Sequence, residues 1–131
     1  MGTVKHIIET DHAPAAIGPY SQGIVVESGR LLYTAGQVAL DPKTGYLVDG
    51  DIEVQTEQVL ENIGGVLKAA GTGFDKVIKT TVFLKDMADF PRMNRIYETF
   101  FRENPPARST VEVSRLPKEG LVEIECVAIV P

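Results

Sequence analysis

Cysteine, histidine and tryptophan are scarce in this chain of 131 residues, which has one cysteine, two histidines and no tryptophan. The single thiol, Cys126, excludes an internal disulfide and any metal centre built from several thiolates. His6 and His12 belong to no H-x-E or C-x-x-C pattern, so no metal site is expected. Cys126 also lies in an apolar strand pattern, where burial disfavours a nucleophilic thiolate.

Long hydrophobic runs are absent as well. No stretch approaches the roughly 20 apolar residues of a membrane-spanning helix. The start of the chain, Met1 to His6, lacks the apolar core of a signal peptide. Together with the lone cysteine, these absences favour a cytoplasmic protein in a reducing compartment.

Positive charge is in short supply, because 13 basic residues stand against 18 acidic ones and give a net charge of −5. Such a chain has no broad electrostatic attraction to nucleic acid or to anionic lipid. The glycines at 64–65 and 71–73 lack the Lys-Ser/Thr ending of a phosphate-binding loop. Neither a nucleic-acid partner nor a membrane partner is therefore favoured.

What the sequence does contain is an alternation of strand and helix patterns that fits one domain over residues 1–131. Strands are predicted at 23–27, 31–36, 77–84, 108–113 and 121–130, the first two forming a tight hairpin around 28–30. Helices are predicted from Ile52 to Ala70, between an Asp51 cap and a Gly71 stop, and from Asp89 to Phe101. The order β-β-α-β-α-β-β predicts an α/β (α+β) fold, a mixed β-sheet with both helices on one face.

The other face of that sheet has no predicted cover. The strands at 77–84 and 127–130 are apolar on both faces, whereas two helices can cover only one. No residues remain to build another layer. We therefore expect the chain to associate with copies of itself.

An arginine and two glutamates stand out on the last two predicted strands. Alternation places Arg108 and Thr110 on one face of their strand, and Glu123 and Glu125 on one face of theirs. If the strands pair with Thr110 opposite Glu123, Arg108 lies opposite Glu125 and all four share one surface. Spacing alone leaves two interpretations open, a structural ion pair and a site for binding or acid–base chemistry.

At these residues the sequence resembles the RidA family, also called YjgF/YER057c/UK114, almost from end to end. The motifs that carry the resemblance are APAAIGPYSQG at 13–23, GQ at 36–37, DPKTG at 41–45, AAG at 69–71, VIKTTVFL at 77–84, DF at 89–90, Asn94, Tyr97, Phe100-Phe101, PARS at 106–109, RLPK at 115–118 and VEIE at 122–125. Together they are specific, although no single one would be.

The resemblance implies a chorismate-mutase-like protomer in a homotrimer, with sites in clefts between subunits. It also implies a cofactor-independent hydrolase, a 2-iminobutanoate/2-iminopropanoate deaminase. Such an enzyme converts reactive 2-imino acids and their enamines, such as 2-aminoacrylate, into 2-oxo acids and ammonia. The implied partners are thus small 2-imino and 2-oxo acids.

Residue by residue, the resemblance implies that Arg108 binds the substrate carboxylate with its planar fork. Glu123 would orient and deprotonate the attacking water, and backbone groups of Thr110 would hold the imine nitrogen or that water. The neighbouring wall would comprise Tyr20 and Gly36, together with Asn94. Many relatives have serine where this chain has Ala35 and cysteine where it has Thr110, so a hydroxyl contact and thiol-dependent behaviour are not transferred.

The sequence leaves two other functions open. A trimer that only binds small carboxylates needs Arg108 but no acid–base group. An endoribonuclease or translation inhibitor, an activity attributed to some relatives, conflicts with the acidic balance of the chain.

Overall fold

Six strands and two helices follow one another in the order β-β-β-α-β-α-β-β, in a computed structural model that describes residues 5–131. Their bounds are β1 Lys5–Ile8, β2 Gly23–Val26, β3 Arg30–Tyr33, α1 Ile52–Ala69, β4 Val77–Leu84, α2 Phe90–Phe100, β5 Ala107–Glu112 and β6 Val122–Val130. Strand β1 is additional to the predicted order. Residues 1–4, part of the segment expected not to be a signal peptide, lie outside the described residues.

The predicted hairpin between the second and third strands is wrong. Strand β2 pairs with β1 in a two-stranded sheet, whereas β3 pairs with β6 in a four-stranded one. The turn between them contains Gly29 at a φ of 122°, a conformation that glycine adopts without a steric penalty. Turn composition indicates that the chain reverses, but it does not say which strand becomes the neighbour.

The four-stranded sheet has the order β3-β6-β4-β5 and is mixed, as predicted. Strand β4 runs parallel to β5 and antiparallel to β6, so it separates the two strands that carry Arg108 and Glu123. The predicted pairing of those two strands is therefore wrong. A β4-α2-β5 crossover favours β4 as the parallel neighbour of β5, and the apolar β4 suits a central position.

Both helices pack on one face of this sheet, also as predicted. The Asp51 side chain accepts a hydrogen bond from the Val54 N–H at 3.1 Å and starts α1, and Gly71 follows its end with a φ of 80°. The main buried cluster comprises Ala39, Ile52, Val59, Leu60, Ile63, Leu67, Val77, Val82, Leu84, Met93, Tyr97, Phe101, Val122, Ile124, Cys126 and Ala128. No helix in residues 5–131 is long and apolar enough to cross a membrane.

The opposite face, called the open face below, carries exposed apolar side chains. Tyr33 is 71% exposed, Leu31 44% and Val111 43%. Their respective ladder partners Val127, Ile129 and Phe83 place them on the same face as Glu123 and Glu125. The predicted lack of cover on one sheet face is thus found in the single chain.

Candidate functional site

Arg108 lies on the helix-covered face of the sheet, where strand β5 begins after two prolines. Its Nη1 donates a hydrogen bond to the Asn94 Oδ1 at 2.6 Å. Its guanidinium carbon lies 4.8 Å from the ring centroid of Tyr97, 5.3 Å from that of Phe90 and 5.6 Å from that of Tyr20. All three distances are in the range of cation–π interactions.

The loop that carries Tyr20 is tied to the chain just before Arg108. The Ser21 N–H donates to the Pro106 carbonyl at 3.1 Å, and the Ser21 hydroxyl donates to the Pro105 carbonyl. The Gln22 side-chain amide then donates to the carbonyls of Thr10, Ala13 and Pro14. These bonds fix the position of the Tyr20 ring relative to the guanidinium.

The charge of Arg108 has no acidic partner within 4.0 Å in residues 5–131, because the ion pairs of this part of the chain involve other residues. Partial burial lowers the pKa of Arg108, while the nearby Tyr97 and Tyr20 oppose that shift. Arginine nonetheless stays protonated in proteins. The site therefore offers a partly dehydrated cation with N–H donors to spare, which suits a carboxylate.

Glu123 lies on the open face, against Gly36. A Cβ built on Gly36 would overlap the Glu123 Oε2 and would lie 2.8 Å from its Cδ, so only glycine leaves the carboxylate in place. The approach is made where the β3–β6 ladder is interrupted, since Ala35 and Gly36 lie between the bonds from Thr34 N–H to Cys126 O and from Gln37 N–H to Ile124 O. Removal from water, and then the charge of Glu125, raise the pKa of Glu123.

These two groups lie on opposite faces of the sheet. Arg108 is aligned with Thr80 and Cys126, whereas Glu123 is aligned with Phe83, three residues further along β4. Side chains alternate between faces along a strand, so the prediction that Arg108, Thr110 and the glutamates share one surface is wrong. The structural ion pair is wrong too, because neither glutamate is bonded to Arg108.

One chain therefore keeps two groups of candidate site residues apart, which are called the cation half-site and the acid half-site below. The cation half-site comprises Arg108 with Asn94 and Tyr20, and Thr110 lies on the same face of β5, where its buried hydroxyl has no hydrogen-bond partner in residues 5–131. The acid half-site comprises Glu123 and Gly36. Clefts of about 510 and 530 Å³ lie beside Tyr20 and Pro19, but neither Arg108 nor Glu123 lines them.

Comparison with known proteins assigns this chain to a family. Residues 10–130 match the family model described as Endoribonuclease L-PSP, which is the RidA/YjgF family. The chain belongs to that family. A RutC family protein from Pyrococcus horikoshii is 56% identical over 125 residues, covering 95% of this chain and 98% of that protein.

Two further RidA relatives bear on function. The human 2-iminobutanoate/2-iminopropanoate deaminase is 47% identical over 126 residues, covering 96% of this chain and 90% of that protein. The crystal structure of Escherichia coli TdcF with bound serine has a TM-score of 0.74 at 43% identity, covering 96% of this chain and 99% of that one. The predicted family and fold are thus confirmed.

The other reactive side chains considered in this RidA chain are Cys126 and His6. Burial raises the pKa of the Cys126 thiol to about 11, which leaves no appreciable thiolate at neutral pH. His6 lies 3.5 Å from Glu27, and both side chains are at least half exposed. In residues 5–131, no group of three or more His, Cys, Asp or Glu side chains is placed to hold a metal ion.

The sequence alone did not reveal that Tyr97 and Phe90 lie against the Arg108 guanidinium of this RidA chain. Tyr97 is fully buried, and Phe90 packs against the main buried cluster. Their spacing relative to Asn94 contained the signal, because positions 90, 94 and 97 follow the i, i+4, i+7 pattern of one helix face. Asn94 had been selected by resemblance, and the same face carries the other two.

Proposed function

We propose that this RidA-family chain hydrolyses 2-imino acids and their enamine tautomers to 2-oxo acids and ammonia. The observation that carries the proposal is Arg108, a partly buried cation that has unused N–H donors and no acidic partner among residues 5–131. The human relative is named for this reaction. Substrates would be small acids such as 2-iminopropanoate and 2-iminobutanoate.

The substrate carboxylate would bind the guanidinium of Arg108 through two parallel hydrogen bonds. Such a fork fixes both the position and the plane of the substrate, which a lysine ammonium does not. Tyr20 lies beside the guanidinium and limits how far the bound acid can rotate, while Asn94 accepts one of the guanidinium N–H groups. Binding at one end then leaves the imine carbon at a defined distance from the acid half-site.

Glu123 would act on the water. The substrate reacts as the protonated imine, the iminium, and Glu123 takes a proton from the water as the oxygen attacks the iminium carbon to give a carbinolamine. Glu123 then gives that proton to the nitrogen, the C–N bond breaks with its electron pair leaving on ammonia, and the hydroxyl proton passes back to Glu123 as the 2-oxo acid forms. An enamine first gains a proton on carbon to become that iminium, and backbone groups of Thr110 would hold the nitrogen or the water.

Because the half-sites lie on opposite faces of one sheet, a complete site needs a second copy of the chain. We infer a homotrimer in which the cation half-site of one copy meets the acid half-site of its neighbour. Contact between copies would also cover the open face, where Tyr33, Leu31 and Val111 are exposed. The reaction involves no metal and no cofactor, because such imines hydrolyse slowly in water and need only alignment and proton transfer.

A coupled assay tests the proposal. A dehydratase generates 2-aminoacrylate, and the rate of its conversion to pyruvate and ammonia is followed with purified protein. Glu123→Gln is expected to lower the added rate by about 100-fold or more, as loss of a general acid–base group does. Glu61→Gln, an exposed change on α1, is the matched control and should leave the rate unchanged.

Binding separates the enzyme from a protein that only binds carboxylates. Glu123→Gln should still bind pyruvate, whereas Arg108→Ala should weaken binding by about 1.5–3 kcal/mol, the contribution of a hydrogen bond to a charged group. Wild-type protein that binds pyruvate but leaves the rate of 2-aminoacrylate loss unchanged would favour the non-catalytic function.

A second candidate, ribonuclease activity, is suggested by the description of the family model as an endoribonuclease. The net charge of −5 disfavours it, since RNA binding depends on neutralising phosphates. Cleavage of single-stranded RNA by highly purified protein, lost in Arg108→Ala and Glu123→Gln, would support it. Equal cleavage by all three proteins would point to contamination.

A further inference from the structure

Among the residues that the structure describes, the groups that contact the Arg108 guanidinium are all uncharged. Its hydrogen-bond acceptor is the amide oxygen of Asn94, and its π contacts are Tyr97, Phe90 and Tyr20. We propose that Asn94, Phe90 and Tyr97 are positioning residues that hold the guanidinium through neutral groups and so reserve its charge for the substrate carboxylate. This inference rests on the proposed function and goes beyond it, because none of the three needs to touch the substrate.

Asn94, Phe90 and Tyr97 are together called the neutral cradle below. Helix α2 and strand β4 hold this cradle in place. Positions 90, 94 and 97 lie on one face of α2, so one rigid element carries all three side chains. The Tyr97 hydroxyl lies 2.7 Å from the Thr80 Oγ1, and Thr80 is the ladder neighbour of Arg108. The ring beneath the guanidinium is therefore fixed to the strand beside it.

A second arginine on the same helix provides the contrast. Arg92 donates from Nε to the Glu53 carboxylate at 3.0 Å and from Nη2 to Asp51, so it joins α2 to the start of α1. The positive charge of Arg92 is therefore compensated by acidic residues of the same chain. Two residues further along α2, Asn94 provides an acceptor of similar size to aspartate but without the negative charge.

The neutrality of the cradle matters because an internal carboxylate would compete with the substrate. An acid at Asn94 would hold the guanidinium more firmly than an amide does. It would also cancel the charge that attracts a carboxylate into a partly dehydrated site. Neutral acceptors and aromatic rings orient the group and leave its charge uncompensated.

Replacement of Asn94 by aspartate and by alanine tests this directly. Asn94→Asp keeps the shape and the acceptor, and the Asn94 Nδ2 donates to no group in residues 5–131 that the exchange would leave unpaired. We expect Asn94→Asp to weaken pyruvate binding by about 30-fold or more and to raise KM similarly, with kcat changed less than about threefold. Asn94→Ala, which loses orientation but keeps the charge free, should weaken binding only about two- to fivefold.

That order is the reverse of what a structural role predicts, because the isosteric aspartate would then be the milder change. Lys68→Gln, an exposed change on α1 that lowers the net charge equally, is the control and should bind pyruvate as the wild type does. Phe90→Leu should weaken binding about threefold and Phe90→Tyr should restore it, since only tyrosine keeps a π face.

The readout is calorimetric binding of pyruvate, which does not depend on turnover. A wild type that binds pyruvate without deaminating would remove the proposed function and leave this inference standing. Binding by Asn94→Asp as tight as by Asn94→Ala would overturn the inference even if deamination is confirmed. A wild type that binds no 2-oxo acid would overturn it as well, because the charge would then be reserved for no ligand of this class.

Discussion

The two faces of the four-stranded sheet are built on different principles. The helix-covered face is completed within the chain, where α1 and α2 bury an apolar cluster and α2 surrounds one cation with neutral groups. The open face is left incomplete, with exposed apolar side chains around a carboxylate whose pKa is raised. The difference teaches that this sheet separates two groups of opposite charge, which a single chain does not bring together.

Mixing two inactive variants tests that separation with the largest expected effect. Arg108→Ala lacks the cation half-site and Glu123→Gln lacks the acid half-site. In randomly assembled mixed trimers with sites between copies, about a quarter of the sites would have both intact half-sites. We expect co-expression to restore activity toward that level, measured in the 2-aminoacrylate assay.

Co-expression would restore no activity if one chain supplied both Arg108 and Glu123 to the same site. No mixed trimer would then contain an intact site, and the mixture would stay as inactive as either variant alone. A variant carrying both changes, co-expressed with Arg108→Ala, is the control, because no mixed trimer then contains an intact cation half-site and no activity should appear.

Tyr33→Asp tests the cover of the open face. Tyr33 is 71% exposed there, and an aspartate buried between copies would carry an unpaired charge. We expect sedimentation to show dissociation to monomers and activity to fall about 100-fold, because the half-sites separate. Tyr46→Asp is the matched control, since Tyr46 is 77% exposed in a loop outside the strands of the sheet, and it should leave assembly unchanged.

Gly36→Ala should uncouple the two half-sites at a smaller cost. The added methyl must displace the Glu123 carboxylate, while the cation half-site is untouched. We expect kcat to fall about 10- to 100-fold, with pyruvate binding changed less than about twofold. Equal losses in kcat and in pyruvate binding would indicate that both half-sites had shifted.

Much of the architecture could be predicted from the sequence, because its signals are local. The Asp51 cap, the Gly71 stop and the apolar period of α1 each depend on neighbouring residues, and each was confirmed. Strand pairing is not local. The chain does turn between β2 and β3 at 28–30, but the two strands do not pair with each other. β2 pairs with β1 and β3 pairs with β6, since sheet order depends on the packing of the whole chain.

The candidate site shows the same limit. The period of two correctly placed Arg108 and Thr110 together on β5, and Glu123 and Glu125 together on β6. The alternation along each strand could not show whether the β5 pair and the β6 pair share a face of the sheet. That depends on the register of each strand with β4, which lies between them. The roles of these residues came from family resemblance and stay predictions that the variants above address.

The smallest effect should come from Glu125→Gln, which changes only the electrostatics of the acid half-site. Glu125 contributes a negative charge that raises the pKa of Glu123, second to removal from water. A general base works when deprotonated, so activity is lost as pH falls through that pKa. Removing the charge lowers the pKa of Glu123, and the acidic limb of the kcat/KM profile should move to lower pH. A limb that stays in place, or moves to higher pH, would mean that another group titrates there and that Glu123 is not the base.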